Sequence, residues 1–136
     1  VETAKETQRK EIKGNGMDMY SKEEKEQALE VIASAVGRCE KIWPKFEEGA
    51  SQHTLLKNRI KALYIAKALI AGEGRNEVYT KSELAQAIAP ITSIIRKCEK
   101  AQGKFEEGSS HFIRFGRMID AMEIAKAYVS FEREKR

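Results

Sequence analysis

The chain repeats itself. Residues 20–73 align without a gap on residues 79–132 at a constant spacing of 59, and 23 of the 54 paired positions are identical. Ungapped agreement over that length does not arise by chance, so both segments must take up the same local structure. Agreement is strongest where Arg38–Ser51 pairs with Lys97–Ser110. Within that stretch Lys45-Phe46-Glu47-Glu48-Gly49 recurs intact as Lys104-Phe105-Glu106-Glu107-Gly108. Further on, Ile65-Ala66-Lys67-Ala68 returns as Ile124-Ala125-Lys126-Ala127.

Each copy reads as two helices. In the first, apolar residues at Leu29, Ile32, Val36, Cys39, Trp43 and Phe46 step by alternating threes and fours, which places them on one helix face. The second copy answers with Leu84, Ile88, Ile91, Ile95, Cys98 and Phe105, but has Gln102 where the first has Trp43. The second helix carries Leu56, Ile60, Leu63 and Ile70 in copy one, and Phe115, Ile119, Met122 and Val129 in copy two. A second apolar line runs beside it through Ala62, Ile65 and Leu69, matched by Ala121, Ile124 and Tyr128. A face this wide predicts contact with more than one neighbouring helix, or with another subunit.

The joints carry matching signals. Ser21 and Thr80 each have a glutamate three residues on (Glu24, Glu83), the pattern of a capping box. Gly49 and Gly108 suit the left-handed position that ends a helix, with Ser51 and Ser110 as the expected N-caps of the next. Pro90 falls about ten residues inside the third helix, where a missing N–H predicts a kink that Val31 does not impose on copy one. Pro44, opposite Gly103, predicts that the first helix falters there, leaving Lys45–Glu48 as a short turn or loop with Phe46 plugging the core. Four helices with short connections give an all-α fold: a four-helix up-down-up-down bundle of two tandem helical hairpins with pseudo-two-fold symmetry. Residues 74–78 read as the linker, in the turn-forming run that begins Gly72-Glu73-Gly74. Residues 1–19 lie outside the repeat as a polar extension. Gly14-Asn15-Gly16 is a break in it, and Met17 or Met19 would make a natural start.

Composition limits the function classes. With 136 residues the chain is one domain, able to bury a core without disulfides or a metal. The net charge of +4 is spread out: residues 1–16 carry +1, the last four residues +2, and residues 17–132 only +1. That is a weak signal for nucleic acid, which asks for a basic stripe. No apolar run reaches the length of a membrane span, and two cysteines without a secretory signal point to reduced thiols in the cytoplasm.

Reactive constellations are few. His53 and His111 are not repeat equivalents, no Cys-x-x-Cys or Glu-x-x-His pair exists, and both cysteines fall on the apolar seam; neither metal nor cofactor is expected. No nucleophile elbow or phosphate-binding glycine loop is present, so no catalytic residue is assigned. Lys67 and Lys126 sit in apolar surroundings, and pairing with Glu40 and Glu99 across each hairpin makes these four the candidate ion-pair or ligand residues. The candidate interaction surface is the second-helix face: Lys57, Arg59 and Lys61, together with Ile65, Leu69, Ile124 and Tyr128.

The run from Phe46 to Leu63 resembles segments of small bacterial helical-bundle proteins of the kind assigned to domains of unknown function. The resemblance covers one hairpin and, through the duplication, most of residues 20–132. It implies a four-helix bundle and no activity, and it assigns no functional residue. The expected function is a non-enzymatic module for protein–protein interaction or self-association, with a protein partner or a homodimer. A nucleic-acid-associated regulator and a small-ligand-binding bundle are the alternatives.

Overall fold

Two capping boxes start the two hairpins. The computed structural model describes residues 19–72 and 79–136; in it helix α1 (Lys22–Ile42) opens on Ser21 and helix α3 (Lys81–Gln102) on Thr80. The Ser21 hydroxyl accepts from the Glu24 N–H at 3.1 Å, and the Ser21 N–H donates to Glu24 Oε1 at 2.9 Å. Thr80 and Glu83 make the same two bonds at 3.0 and 2.9 Å. Each box satisfies two N–H groups that a helix start otherwise leaves open. The Thr80 backbone N–H holds the Glu83 carboxyl below the ordinary carboxylate range, and Lys61 Nζ, 3.6 Å away, adds to this.

The other helix boundaries differ from expectation by instructive amounts. Helix α1 stops at Ile42 and passes into a single 3-10 turn, Trp43–Lys45, with Pro44 in its first positions. Gly49 and Gly108 do adopt positive φ, at +93° and +90°, but in the loops that lead into the next helices rather than at a helix end. The helices have already finished, at Ile42 just before Pro44 in one copy and at Gln102 just before Gly103 in the other. Helix α2 (Ser51–Ile70) and helix α4 (Ser110–Lys135) are therefore capped one residue earlier than the serine pattern predicts, at Ala50 and Ser109. Ser109 Oγ accepts from the Phe112 N–H at 3.2 Å, whereas Ala50 has no side chain to do so. Helix α3 runs through Pro90 without a break. The linker, residues 74–78, and the extension up to residue 18 lie outside the described residues.

The four helices pack against one another as an all-α bundle, in which α2 and α4 each touch all three of the others while α1 and α3 do not meet. This arrangement explains the two apolar lines on the second helix of each copy: a helix with three neighbours needs a wide apolar face. It also corrects part of the expected interaction surface. Ile65, Leu69, Ile124 and Tyr128 are buried in the core, so the second line is consumed inside the chain.

Burial is unevenly distributed along the bundle. In α2 the buried residues other than His53 run from Ala62 to Ile70, and in α4 they begin only at Ala121. The fully enclosed side chains Ile32, Leu63, Leu84, Ile91, Met122 and Val129 all belong to this packed half. Contacts also fix the sense of the helices. Tyr20 meets Tyr128 ring to ring at 6.2 Å, and one surface groove is lined by Glu24–Val31 together with Arg117–Ile124. Positions rising along α1 thus meet positions falling along α4, so these two helices are antiparallel. The loop that follows α1 and the loop that precedes α4 therefore lie at the same end of the bundle.

Candidate functional site

That loop end is where apolar side chains reach solvent. Ile42 is 44% exposed, Leu55 45%, Phe105 39% and Ile113 48%. Ile42 is the last residue of α1, Leu55 and Ile113 lie in the opening turns of α2 and α4, and Phe105 is in the second loop. Tyr64 is the one other large hydrophobic residue so exposed among the described residues, and its hydroxyl donates to Glu40 Oε2 at 2.6 Å. That bond pushes the Tyr64 phenol above its ordinary range.

Each copy closes the loop end with rings, by different means. In the first, Trp43 packs on the buried His53 with centroids 4.5 Å apart. In the second, Phe105 stacks on His111 at 4.7 Å and on Phe115 at 6.0 Å. Gln102 replaces Trp43 there, and its Nε2 donates to the Phe112 carbonyl at 3.0 Å. Phe46 is half-buried and stands outside the core, not as its plug. The seam predicted to run as far as Phe46 and Phe105 stops short because the helices that carry it end first.

The loops themselves carry both signs of charge in the open. Lys45, Glu47 and Glu48 are exposed in the first, as are Lys104, Glu106 and Glu107 in the second. None of these six side chains is in an ion pair or side-chain hydrogen bond among the described residues.

The four candidate ion-pair residues do not assemble. Glu40 is held by Tyr64 rather than by Lys67, which is exposed and in no ion pair among the described residues. Glu99 is exposed and Lys126 half-buried, likewise without an ion pair among the described residues. Position 123, the counterpart of Tyr64, is Glu123, which cannot donate to Glu99 as Tyr64 does to Glu40. The basic trio separates as well. Lys57 is exposed, Lys61 pairs with Glu83, and Arg59 turns inward. Its Nε and Nη2 are buried without a partner, and its charge acts on both thiols.

Those thiols behave as core residues. Burial pushes Cys39 up from the ordinary thiol value, against the opposing charges of Arg59 and Arg38, and Cys98 follows the same pattern. Both are free, and because α1 and α3 do not meet, their α-carbons are too far apart for a disulfide. Among the described residues no three His, Cys, Asp or Glu side chains gather to hold a metal ion, and no helix is long and apolar enough to cross a membrane.

Two grooves flank the bundle, each of about 520 Å³. One, between α2 and α3, has Ala62, Ile65 and Ala87 along its floor and Lys61 and Glu83 at its rim. The other, between α1 and α4, is lined by Ala28, Ala121 and Ile124, with Glu24, Asp120 and Arg117 beside them. Repeat-equivalent residues therefore build both.

Against known proteins, the chain matches no family model, no curated protein and no solved structure. Its functional surface has to be read from its own residues. The apolar lines traced in the sequence pass through Leu56 and Phe115 and miss Ile42, Leu55 and Ile113, so the loop-end patch leaves no mark there. Only the early helix ends and the uneven packing reveal that these positions stay open.

Proposed function

We propose that the chain is a non-catalytic interaction module that docks a protein partner or a second copy of itself through the loop end of its bundle. One observation carries this reading: among the described residues, four of the five exposed large hydrophobic residues collect at that end, while the opposite half is packed. Apolar surface gathered in one place and rimmed by charge is the usual mark of a protein-binding face. The reading includes the up-down helix order and an approximate two-fold relation between the hairpins, which the matched grooves favour. Two free thiols suit a reducing compartment such as the cytoplasm.

The groove between α2 and α3 favours the small-ligand alternative, since its volume is in the range of small-molecule sites. Against it, the same groove recurs between α1 and α4, which traces both to facing alanines rather than to a built pocket. Nucleic-acid binding draws less support: Lys61 is paired and Arg59 faces inward, so no basic stripe forms on α2.

The test is a Leu55→Asp/Ile113→Asp double variant. Both side chains are exposed, so the fold should survive, and circular dichroism checks that. Light scattering and affinity capture from native extract should show mass increase or partner binding for the unaltered chain and neither for the variant. A variant that associates as well as the parent contradicts the proposal.

A further inference from the structure

The duplication supplies a comparison that a single sequence normally lacks. Both copies began alike, so a position still identical has been held, and burial or backbone geometry should explain why. For about half of the identical positions they do. Ala28 and Ala87, Ile32 and Ile91, Ala62 and Ala121, and Ile65 and Ile124 are identical and buried. Glu24 and Glu83 close capping boxes, and Gly49 and Gly108 hold positive φ.

Other identities are exposed in both copies, among them Lys22 and Lys81, Gln27 and Gln86, and Lys41 and Lys100 on the helices, but the longest unbroken one lies in the loops. Lys45, Glu47 and Glu48 equal Lys104, Glu106 and Glu107, yet all six are exposed, and none is in an ion pair or side-chain hydrogen bond among the described residues. Directly after them the copies diverge completely: residues 52–59 share no identity with 111–118. A stretch of helix has been rewritten while an open, charged loop beside it has not. No ion pair or side-chain hydrogen bond among the described residues accounts for these charges, which points to a use outside the chain.

Resting on the loop-end reading above, we infer that the two Lys-Phe-Glu-Glu-Gly loops form a self-complementary surface that pairs with the same loops of a second copy of this chain. Charge complementarity selects that occupant. Each loop offers a cation and two anions around a phenylalanine. Turning a second copy about a two-fold axis sets the lysine of one against the glutamates of the other, and the reverse. A purely basic partner would need only the glutamates, and a purely acidic one only the lysine; retention of both signs in both loops fits self-pairing. The exposed rings and aliphatic groups at the same end, Phe105 and Ile113 among them, supply apolar area around the ion pairs.

The experiment is a charge swap in the full chain followed by sedimentation velocity from low micromolar to near-millimolar concentration. One variant is Lys45→Glu/Lys104→Glu, the other Glu47→Lys/Glu48→Lys/Glu106→Lys/Glu107→Lys. All six side chains are exposed, and unchanged urea midpoints will show that both variants fold. The unaltered chain should dimerise, each variant alone should dimerise about tenfold or more weakly, and an equimolar mixture should recover a one-to-one dimer. A chain that stays monomeric throughout, or a dimer that persists in both variants, overturns the inference. Loss of a different protein's binding in the Leu55→Asp/Ile113→Asp variant, with the chain itself monomeric, would overturn the self-pairing while leaving the broader interaction role standing.

Discussion

The packed half of the bundle and its loop half are built from the same four helices and obey different rules. In the packed half, identity between the copies largely follows burial: alanines, isoleucines and the glutamates of the capping boxes are retained, with Lys22 and Lys81 and Gln27 and Gln86 as exposed exceptions. In the loop half, Leu56, Ile60, Phe115 and Ile119 are only half-buried, Leu55 and Ile113 are exposed, and the residues retained most faithfully are charges in water. A duplicated fold holds its core through packing. What it holds elsewhere is evidence of a second constraint.

Core truncation should break that comparison most visibly if it is wrong. Ile32→Ala, Leu63→Ala and Met122→Ala remove fully enclosed side chains and should each cost about 2–5 kcal/mol in urea unfolding. Ile60→Ala and Leu56→Ala, in the loop half, should cost well under half as much. Equal costs would mean that the loop end is as tightly packed as the rest.

Next in size are the helix starts. Ser109→Ala should destabilise by about 1 kcal/mol, and Ala50→Ser, which gives copy one the cap that copy two has, should stabilise by up to about 1 kcal/mol. A neutral Ala50→Ser would show that the loop before α2 cannot present a cap. Hydrogen exchange offers a finer contrast. Amides in the first halves of α2 and α4 should exchange faster than those at 62–70 and 121–129, because fewer buried contacts hold them.

The thiols and the Glu83 cap give the smallest effects, with signs that can be worked out. Burial raises both thiols in the folded chain, so their contribution is complete below the ordinary thiol value and is lost as pH rises through the folded one. Glu83 is the reverse: its depressed carboxyl contributes above the ordinary carboxylate value and loses that contribution as pH falls through the folded one. Urea midpoints followed against pH should decline at both extremes, with Cys39→Ala/Cys98→Ala flattening the alkaline limb. In the folded chain a thiol reagent should label the half-buried Cys98 before the buried Cys39. Simultaneous labelling would place both in one environment.

Much of the fold is legible in the sequence because it rests on period and on capping. The seam through Ile32, Val36 and Cys39, the boxes at Ser21 and Thr80, and the two apolar lines on the second helices all appear in the structure. What periodicity cannot show is where a face stops being covered. Leu55 and Leu63 look alike as letters, yet one is open and the other enclosed, because coverage depends on where neighbouring helices end. Nor could residue type foresee that Glu40 takes its bond from Tyr64, or that Glu132 is buried with Arg136 Nη2 at 2.9 Å and Lys135 Nζ at 3.6 Å. The candidate site left one trace in the sequence, the intact repetition of Lys-Phe-Glu-Glu-Gly. Its meaning emerges only once those side chains are known to be exposed.

The most direct test is a dilution series of the ¹⁵N-labelled chain followed by amide chemical shifts. Movements confined to residues 42–55 and 103–113, saturating with concentration, are the predicted result. Shifts concentrated on the packed half or along the α2–α3 groove, or none at any concentration, would contradict a self-pairing surface at the loop end.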